Sequence, residues 1–360
     1  MAKARPSGAG RIVLKLGTST LTAGSGEPDR KRLSSLCRQV GEIRSRGVAA
    51  TIVSSGAIAS GMGPLGLKKR PSDMPTLQAA AAVGQRRLMD LYAEFLEPMG
   101  IPVAQVLLTQ YDMVQRRNYV NARNTLEKLL ELGAVPVVNE NDTVAVEEIR
   151  YGDNDRLAAL VANLVRADLL VMLSDVEGVY TEDPRRKRAE LISSIPEITP
   201  QIMKAAARGR SSMGSGGMAS KLDAARIATL SGVGVIVASG DRPEVLTEVW
   251  SGEEVGTYFP PRRGRAQARK LWIAWAPGVR GKLVVDKGAA AALTSGNKSL
   301  LAAGVTSVQG DFKAGDAVEI VGPAGEVIGK GLAGLDSDLA TRVAGSKGRE
   351  LIHRDQLVVF

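Results

Sequence analysis

The chain has 360 residues, 44% hydrophobic and 24% charged, with 47 Lys+Arg against 38 Asp+Glu and one cysteine and one histidine. That is the composition of a soluble globular protein long enough for two domains, or for one large and one small. Without disulfides, cysteine-clustered metal or much scope for histidine catalysis, its chemistry must run on lysines, carboxylates, backbone groups and a cation such as magnesium.

No apolar run approaches the ~20 residues of a bilayer span, and residues 1–10 lack the apolar stretch of a signal peptide, so a cytoplasmic protein with no membrane partner is expected. The net charge of +9 suits anionic small molecules or nucleic acid. Most of the excess lies before residue 270, since residues 270–360 hold 11 Lys+Arg against 9 Asp+Glu. The basic runs Lys68–Arg70 and Arg185–Arg188 read as solvated faces.

The first strand, Arg11 to Leu16, carries Lys15 ahead of Gly17. A helical pattern over Asp29 to Arg46 places Cys37 with Leu33, Leu36, Val40 and Ile43, which predicts a packed, inert thiol. Strand Ala50 to Val53 runs into Ser54-Ser55-Gly56, and Gly61-Met62-Gly63-Pro64-Leu65-Gly66, although it matches Gly-x-Gly-x-x-Gly, reads as a surface loop.

Helix Thr76 to Leu96, strand Val103 to Leu107, helix Asn121 to Leu132 and strand Val135 to Val138 follow. Beyond the last come two polar clusters, Asn139-Glu140-Asn141-Asp142-Thr143 and Tyr151-Gly152-Asp153-Asn154-Asp155, and then helix Arg156 to Arg166, for which Asp153, Asn154 or Asp155 is the expected N-cap. Strand Leu169 to Leu173 leads into Ser174-Asp175; the glycine-rich run Gly214 to Lys221 opens a helix to Leu230; strand Val233 to Ala238 completes the series.

Alternating helices and near-continuous apolar strands predict an α/β fold, a mostly parallel sheet with helices on both faces and ligands beyond the strands' carboxyl ends. The boundaries read as 8–260 for this domain, 261–270 for a Pro/Arg-rich linker and 271–360 for a small, mainly β domain with strands at Lys282–Val285 and Ala317–Val321. His353, in the last part, reads as a surface or satisfied residue.

The glycine-rich loop before Lys221, and Lys15 before Gly17, each combine a lysine with accessible backbone N–H groups, which suits a polyphosphate. A glycine-rich turn alone is often just a loop, and no Gly-x-x-x-x-Gly-Lys-Ser/Thr spacing occurs. The acid and amide clusters could bind both ends of a small zwitterion, or magnesium. A carboxylate acceptor would need no general base, since a carboxyl of reference pKa about 4.3 is ionised at pH 7. Phosphoryl transfer would then need positioning and charge neutralisation.

Lys15-Leu16-Gly17, Val53 to Ala57, Asp175 to Pro184 and Gly216 to Lys221 together resemble the amino acid kinase family over about residues 10–260, in the expected order. Asn139-Glu140-Asn141-Asp142 and Gly152-Asp153-Asn154-Asp155 are similar to its glutamate 5-kinase group, and Gly281 to Ala289, Ser299 to Leu301 and Val308 to Phe312 resemble a PUA domain. Ser220 and Ser174 replace a commoner threonine, and Tyr151 a commoner phenylalanine, keeping the hydroxyl or the ring.

The resemblance implies a three-layer α-β-α sandwich, and transfer of phosphate from ATP to the side-chain carboxylate of L-glutamate, the first step of proline biosynthesis. It implies Lys15 and Lys221 on the transferring phosphates, with Asp155 organising both. Ser174, Asp175, Ser215, Gly216, Gly217, Met218, Ala219 and Ser220 would surround ATP, and Ser55, Asn139, Asp142, Asp153 and Asn154 would hold glutamate. It further implies magnesium, with ligands not assigned, feedback inhibition by proline, homo-oligomers and coupling to glutamyl phosphate reductase. Two rivals are a sister kinase with another acceptor and an RNA-binding accessory protein. The +2 balance of residues 270–360 and the 4% aromatic content argue against the second.

Overall fold

The computed structural model describes residues 5, 7–22, 27–109, 112–113, 116–144, 154–186, 188–199, 201–203, 217–262, 279–296 and 298–359. The chain divides into two compact units, Met1–Arg265 and Ala266–Phe360. No helix among the described residues is long and apolar enough to cross a membrane.

The first unit is built on seven strands: β1 (Arg11–Leu16), β2 (Ala49–Val53), β3 (Val103–Leu108), β4 (Val135–Glu140), β5 (Leu169–Ser174), β6 (Gly234–Ser239) and β7 (Thr257–Phe259). They lie in the order β3-β4-β2-β1-β5-β6-β7. Every pairing is parallel except that of β7, an antiparallel edge. The central strands are buried on both faces, which is why they read as unbroken apolar runs.

The helices include α1 (Thr18–Thr22), α2 (Arg30–Ser45), α3 (Ala57–Met62), α4 (Met74–Leu96), α5 (Arg116–Glu131), α6 (Asn154–Leu164), α7 (Met218–Leu230) and α8 (Val245–Ser251). Asp29 caps α2 by accepting from the Arg32 N–H, and Asp73 caps α4 by accepting from Thr76. One face of the sheet carries α2, which packs on α4 and α8; the other carries α6, which touches β1 and packs on α5 and α7. Ile12, Leu14 and Leu16 join the first face's core with Leu33, Leu36, Val40, Leu88 and Tyr92. Strand alternation therefore turns Val13 and Lys15 toward α6.

β1 lies between β2 and β5 and is parallel to both. The chain leaves β1 toward β2 on one side and β5 toward β6 on the other, so the carboxyl ends of β1 and β5 flank the crevice where such sheets bind ligands.

Several elements differ from expectation. β4 continues through Asn139 and Glu140, because burial and hydrogen bonding hold these polar residues in the strand. Asn154 and Asp155 lie inside the first turn of α6, so neither is its N-cap. The short α3 and α8 and the edge strand β7 were not anticipated.

Gly61 corrects the surface-loop reading of Gly61–Gly66: it is buried in α3. A Cβ on Gly61 would meet the Ala80 carbonyl oxygen at 1.9 Å, and one on Gly84 the Ala57 carbonyl oxygen at 1.8 Å, so α3 and α4 touch backbone to backbone through this glycine pair. Gly63 to Gly66 are an exposed turn, as expected, with Gly66 at φ +68°. Cys37 is buried as expected, and the loss of solvent pushes its thiol pKa up to about 12.

In the second unit, β8 (Gly281–Val285), β10 (Val305–Gly310), β11 (Ala317–Val321), β12 (Val327–Leu332) and β14 (Leu357–Val359) form a sheet ordered β10-β8-β11-β12-β14. Only β8 and β11 are parallel. A two-stranded sheet of β9 (Leu300–Leu301) and β13 (Glu350–Ile352) and helices α9 (Lys287–Thr294) and α10 (Ser337–Val343) complete it. Its own core includes Leu283, Phe312, Ile320, Leu351 and Ile352. His353 is exposed, and its Nδ1 accepts from the Asp355 N–H.

Candidate functional site

Lys15 comes from β1, Asp155 from the first turn of α6 and Lys221 from the first turn of α7, and the packing of α6 on β1 and α7 brings them together. The Lys15 ammonium pairs with Asp155 Oδ1, and Lys221 Nζ lies 3.1 Å from Oδ2. Ser220 Oγ is 2.9 Å from the same Oδ2 and 2.8 Å from the Gly217 carbonyl oxygen. Lys15, Asp155 and Lys221 are 2%, 0% and 6% exposed. Two ammonium groups converge on one carboxylate in a low-dielectric site, an arrangement complementary to an incoming anion.

Gly217, in extended backbone, precedes α7 and has no side chain to cap it, so the first N–H groups of that helix are presented at the same end as Lys221. Met218, Ala219 and Ser220 form the opening turn. Ser174 ends β5 with its hydroxyl donating to Asp175 Oδ1 at 3.1 Å; Asp175 is exposed.

A second group of side chains forms at the ends of β2 and β4. Asn154 Nδ2 donates to the Ser54 carbonyl oxygen and, at 2.6 Å, to Asn139 Oδ1. Asn139 Oδ1 also accepts from the Glu140 N–H at 2.9 Å, and Asn139 Nδ2 donates to Gln85 Oε1 at 2.7 Å. Ser54 Oγ shares a hydrogen bond of 2.8 Å with the buried Tyr92 hydroxyl, tying the end of β2 to α4. Ser55 and Asp142 are half-buried just beyond their strands.

Burial, with a smaller contribution from neighbouring Asp142, raises the Glu140 carboxyl to about 7. Burial also raises Asp142 to about 6, against the opposing pull of Arg70.

The structure therefore joins Lys15, Asp155, Lys221 and Ser220 at one carboxylate and links Asn139 to Asn154. Ser55, Asp142, Ser174 and Asp175 lie on the same carboxyl-terminal edge of the sheet. Asp153, Ser215 and Gly216 lie outside the described residues. Sequence reading missed Gln85, Tyr92 and the backbone role of Ser54. A signal for the first existed: Gln85 interrupts the apolar stripe Ala81, Leu88, Tyr92 of α4 at helical spacing.

Among the described residues no group of three or more His, Cys, Asp or Glu could hold a metal ion. Asp155, the most buried carboxylate among the described residues, already serves two lysines.

The amino acid kinase family model matches residues 10–239, and the PUA domain model matches residues 281–354. A glutamate 5-kinase of Moorella thermoacetica is 47% identical, over 98% of this chain and 97% of its own. Those of Dehalococcoides mccartyi and Myxococcus xanthus are each 45% identical, over 97% of this chain and 98% and 96% of theirs. With its lysines, amides and strand ends arranged as described, the chain belongs to the amino acid kinase family, as a kinase of the glutamate 5-kinase group with a C-terminal PUA domain.

Proposed function

We propose that this kinase transfers the γ-phosphoryl group of ATP to the side-chain carboxylate of L-glutamate, giving L-glutamyl 5-phosphate and ADP, as the first step of proline biosynthesis. The observation that carries the reading is the buried trio Lys15–Asp155–Lys221, in which two lysines converge on one carboxylate. An ionised carboxylate oxygen of the acceptor attacks the γ-phosphorus in line, and the bond from that phosphorus to the β–γ bridging oxygen breaks. The electron pair leaves on the β-phosphate of ADP.

No proton moves at the attacking atom, so the site needs no general base. Lys15 and Lys221 neutralise charge spreading over the transferring group, and Asp155 fixes both ammonium groups before substrate arrives. The N–H groups opening α7, with Ser174 and Asp175, serve the nucleotide. The glycine-rich residues Ser215 and Gly216 belong to the same proposal. Ser55, Asp142, Asp153 and Asn154 serve glutamate, with Asp142 facing its ammonium group.

Magnesium, when bound with ATP, would screen phosphate charge, and it would be held mainly by the phosphates, as such ions commonly are. Inhibition by proline, homo-oligomers and hand-over of the labile acyl phosphate to a reductase complete the proposal.

An ADP-release assay with ATP, magnesium and hydroxylamine tests it, comparing L-glutamate with L-aspartate, N-acetyl-L-glutamate and uridylate. The expected outcome is glutamate-dependent ADP release with hydroxamate formed. Turnover with another acceptor alone would move the specificity; silence with all four would overturn the proposal.

A further inference from the structure

The orientation of three buried amides is determined by backbone groups at two points. The Ser54 carbonyl oxygen can only accept, so the Asn154 atom facing it is the donor Nδ2. The Glu140 N–H can only donate, so the Asn139 atom facing it is Oδ1. Asn139 Nδ2 then faces Gln85 at 2.7 Å, and the Gln85 atom that receives it must be Oε1. The chain of amides has no freedom left, and each end projects one remaining polar atom. At one end is Gln85 Nε2, a donor; at the other is Asn154 Oδ1, an acceptor. Both are buried, in residues 8% and 6% exposed, and among the described residues no group pairs with either.

An unpaired buried amide costs more than an exchanged hydrogen bond, so both atoms call for a ligand group. Asn139 between them is committed to its neighbours: its oxygen accepts twice and one N–H of its nitrogen serves Gln85. The acceptor amino acid assigned to this edge of the sheet carries carboxylates that accept and an ammonium that donates. Resting on that reading, we propose that Gln85 is a further specificity residue of the acceptor site, its Nε2 donating to a carboxylate oxygen of the amino acid, while Asn139 is a positioning residue that orients Gln85 and Asn154 rather than a substrate contact.

The variant Gln85→Glu separates these roles. A glutamate retains an oxygen to accept from Asn139 but has no N–H to give, and when ionised it faces the acceptor's carboxylate with like charge. Binding of L-glutamate alone and of ATP alone is measured by calorimetry at about pH 8.5, above the value of about 7 that burial gives Glu140 beside Asn139. The expected result is L-glutamate affinity reduced at least about tenfold, ATP affinity within about twofold of wild type, and a cooperative melt. Gln85→Met, which suits a helix and also lacks the donor, reports the same loss if Gln85→Glu does not melt cooperatively.

Wild-type glutamate affinity in a folded variant overturns the assignment and leaves Gln85 a purely structural partner of Asn139. Wild-type protein that binds no L-glutamate but binds one of the other acceptors overturns the acceptor reading itself, a result distinct from a failure of Gln85 alone.

Discussion

Lys15 and Lys221 meet opposite oxygens of one buried carboxylate, that of Asp155, although one lies on the central strand and the other opens a late helix. Removing the carboxylate leaves two ammonium groups without their shared counter-ion in a site closed to solvent. Asp155→Ala should lose about 3–5 kcal/mol of stability, the cost typical of breaking a buried ion pair from one side. Urea denaturation measures it; a loss under about 1 kcal/mol would mean the lysines find other anions.

The two lysines should matter most in the transition state, where charge spreads over the transferring group. Lys15→Ala and Lys221→Ala are each expected to lower kcat about 10²–10³-fold, with smaller changes in either KM. Steady-state kinetics with glutamate checks this, and wild-type kcat in either variant would refute its role.

Acid should weaken the acceptor end of the site before the nucleotide end. Asp142 holds its proton up to about pH 6, so below that value its charge, which the proposed ammonium contact needs, is lost. KM for glutamate should rise roughly tenfold per pH unit below about 6, with KM for ATP steady over the first unit. A flat glutamate KM from pH 7 to 5 would remove Asp142 from that contact.

Gly84→Ala should be costly for a reason invisible in φ, because its Cβ would stand 1.8 Å from the Ala57 carbonyl oxygen and 2.6 Å from the Gly61 nitrogen. Backbone cannot step aside as a side chain can, so α3 must separate from α4. A destabilisation of about 2–3 kcal/mol or more is expected by thermal melting. Because α3 directly follows Ser54 and Ser55, glutamate KM should rise with it.

Cys37 should resist thiol reagents in the folded protein and react fully once unfolded, since burial both hides the sulfur and holds its pKa near 12. Reaction with a chromogenic disulfide, with and without denaturant, measures this; fast labelling of native protein would contradict it.

Most of the sheet was legible because β1, β2, β4, β5 and β6 are apolar on both faces, a pattern set by burial alone. The same logic failed where burial and polarity part company. Asn139 and Glu140 look like a loop, yet they finish β4, since their side chains find partners or hold a proton inside the protein. Gly61 looks like a loop glycine because its reason, contact with Gly84, lies in another helix. The edge strand β7 and helix α8 are too short for periodicity to register. In the site, Lys15 and Lys221 are legible from the glycines and backbone N–H groups beside them and Asp155 through family resemblance, whereas Gln85 becomes visible only once backbone partners settle which way each amide faces.

The place of β1 between β2 and β5 also bears on how the protein is made. Its inner neighbour β2 follows within a few dozen residues, but its other neighbour emerges from the ribosome only at Leu169–Ser174, and Lys221 later still. Until then the nascent chain carries an apolar strand with one unpaired edge. Such an edge is a template for other chains, so this long-range pairing leaves the unfinished chain open to wrong pairing while it is being made.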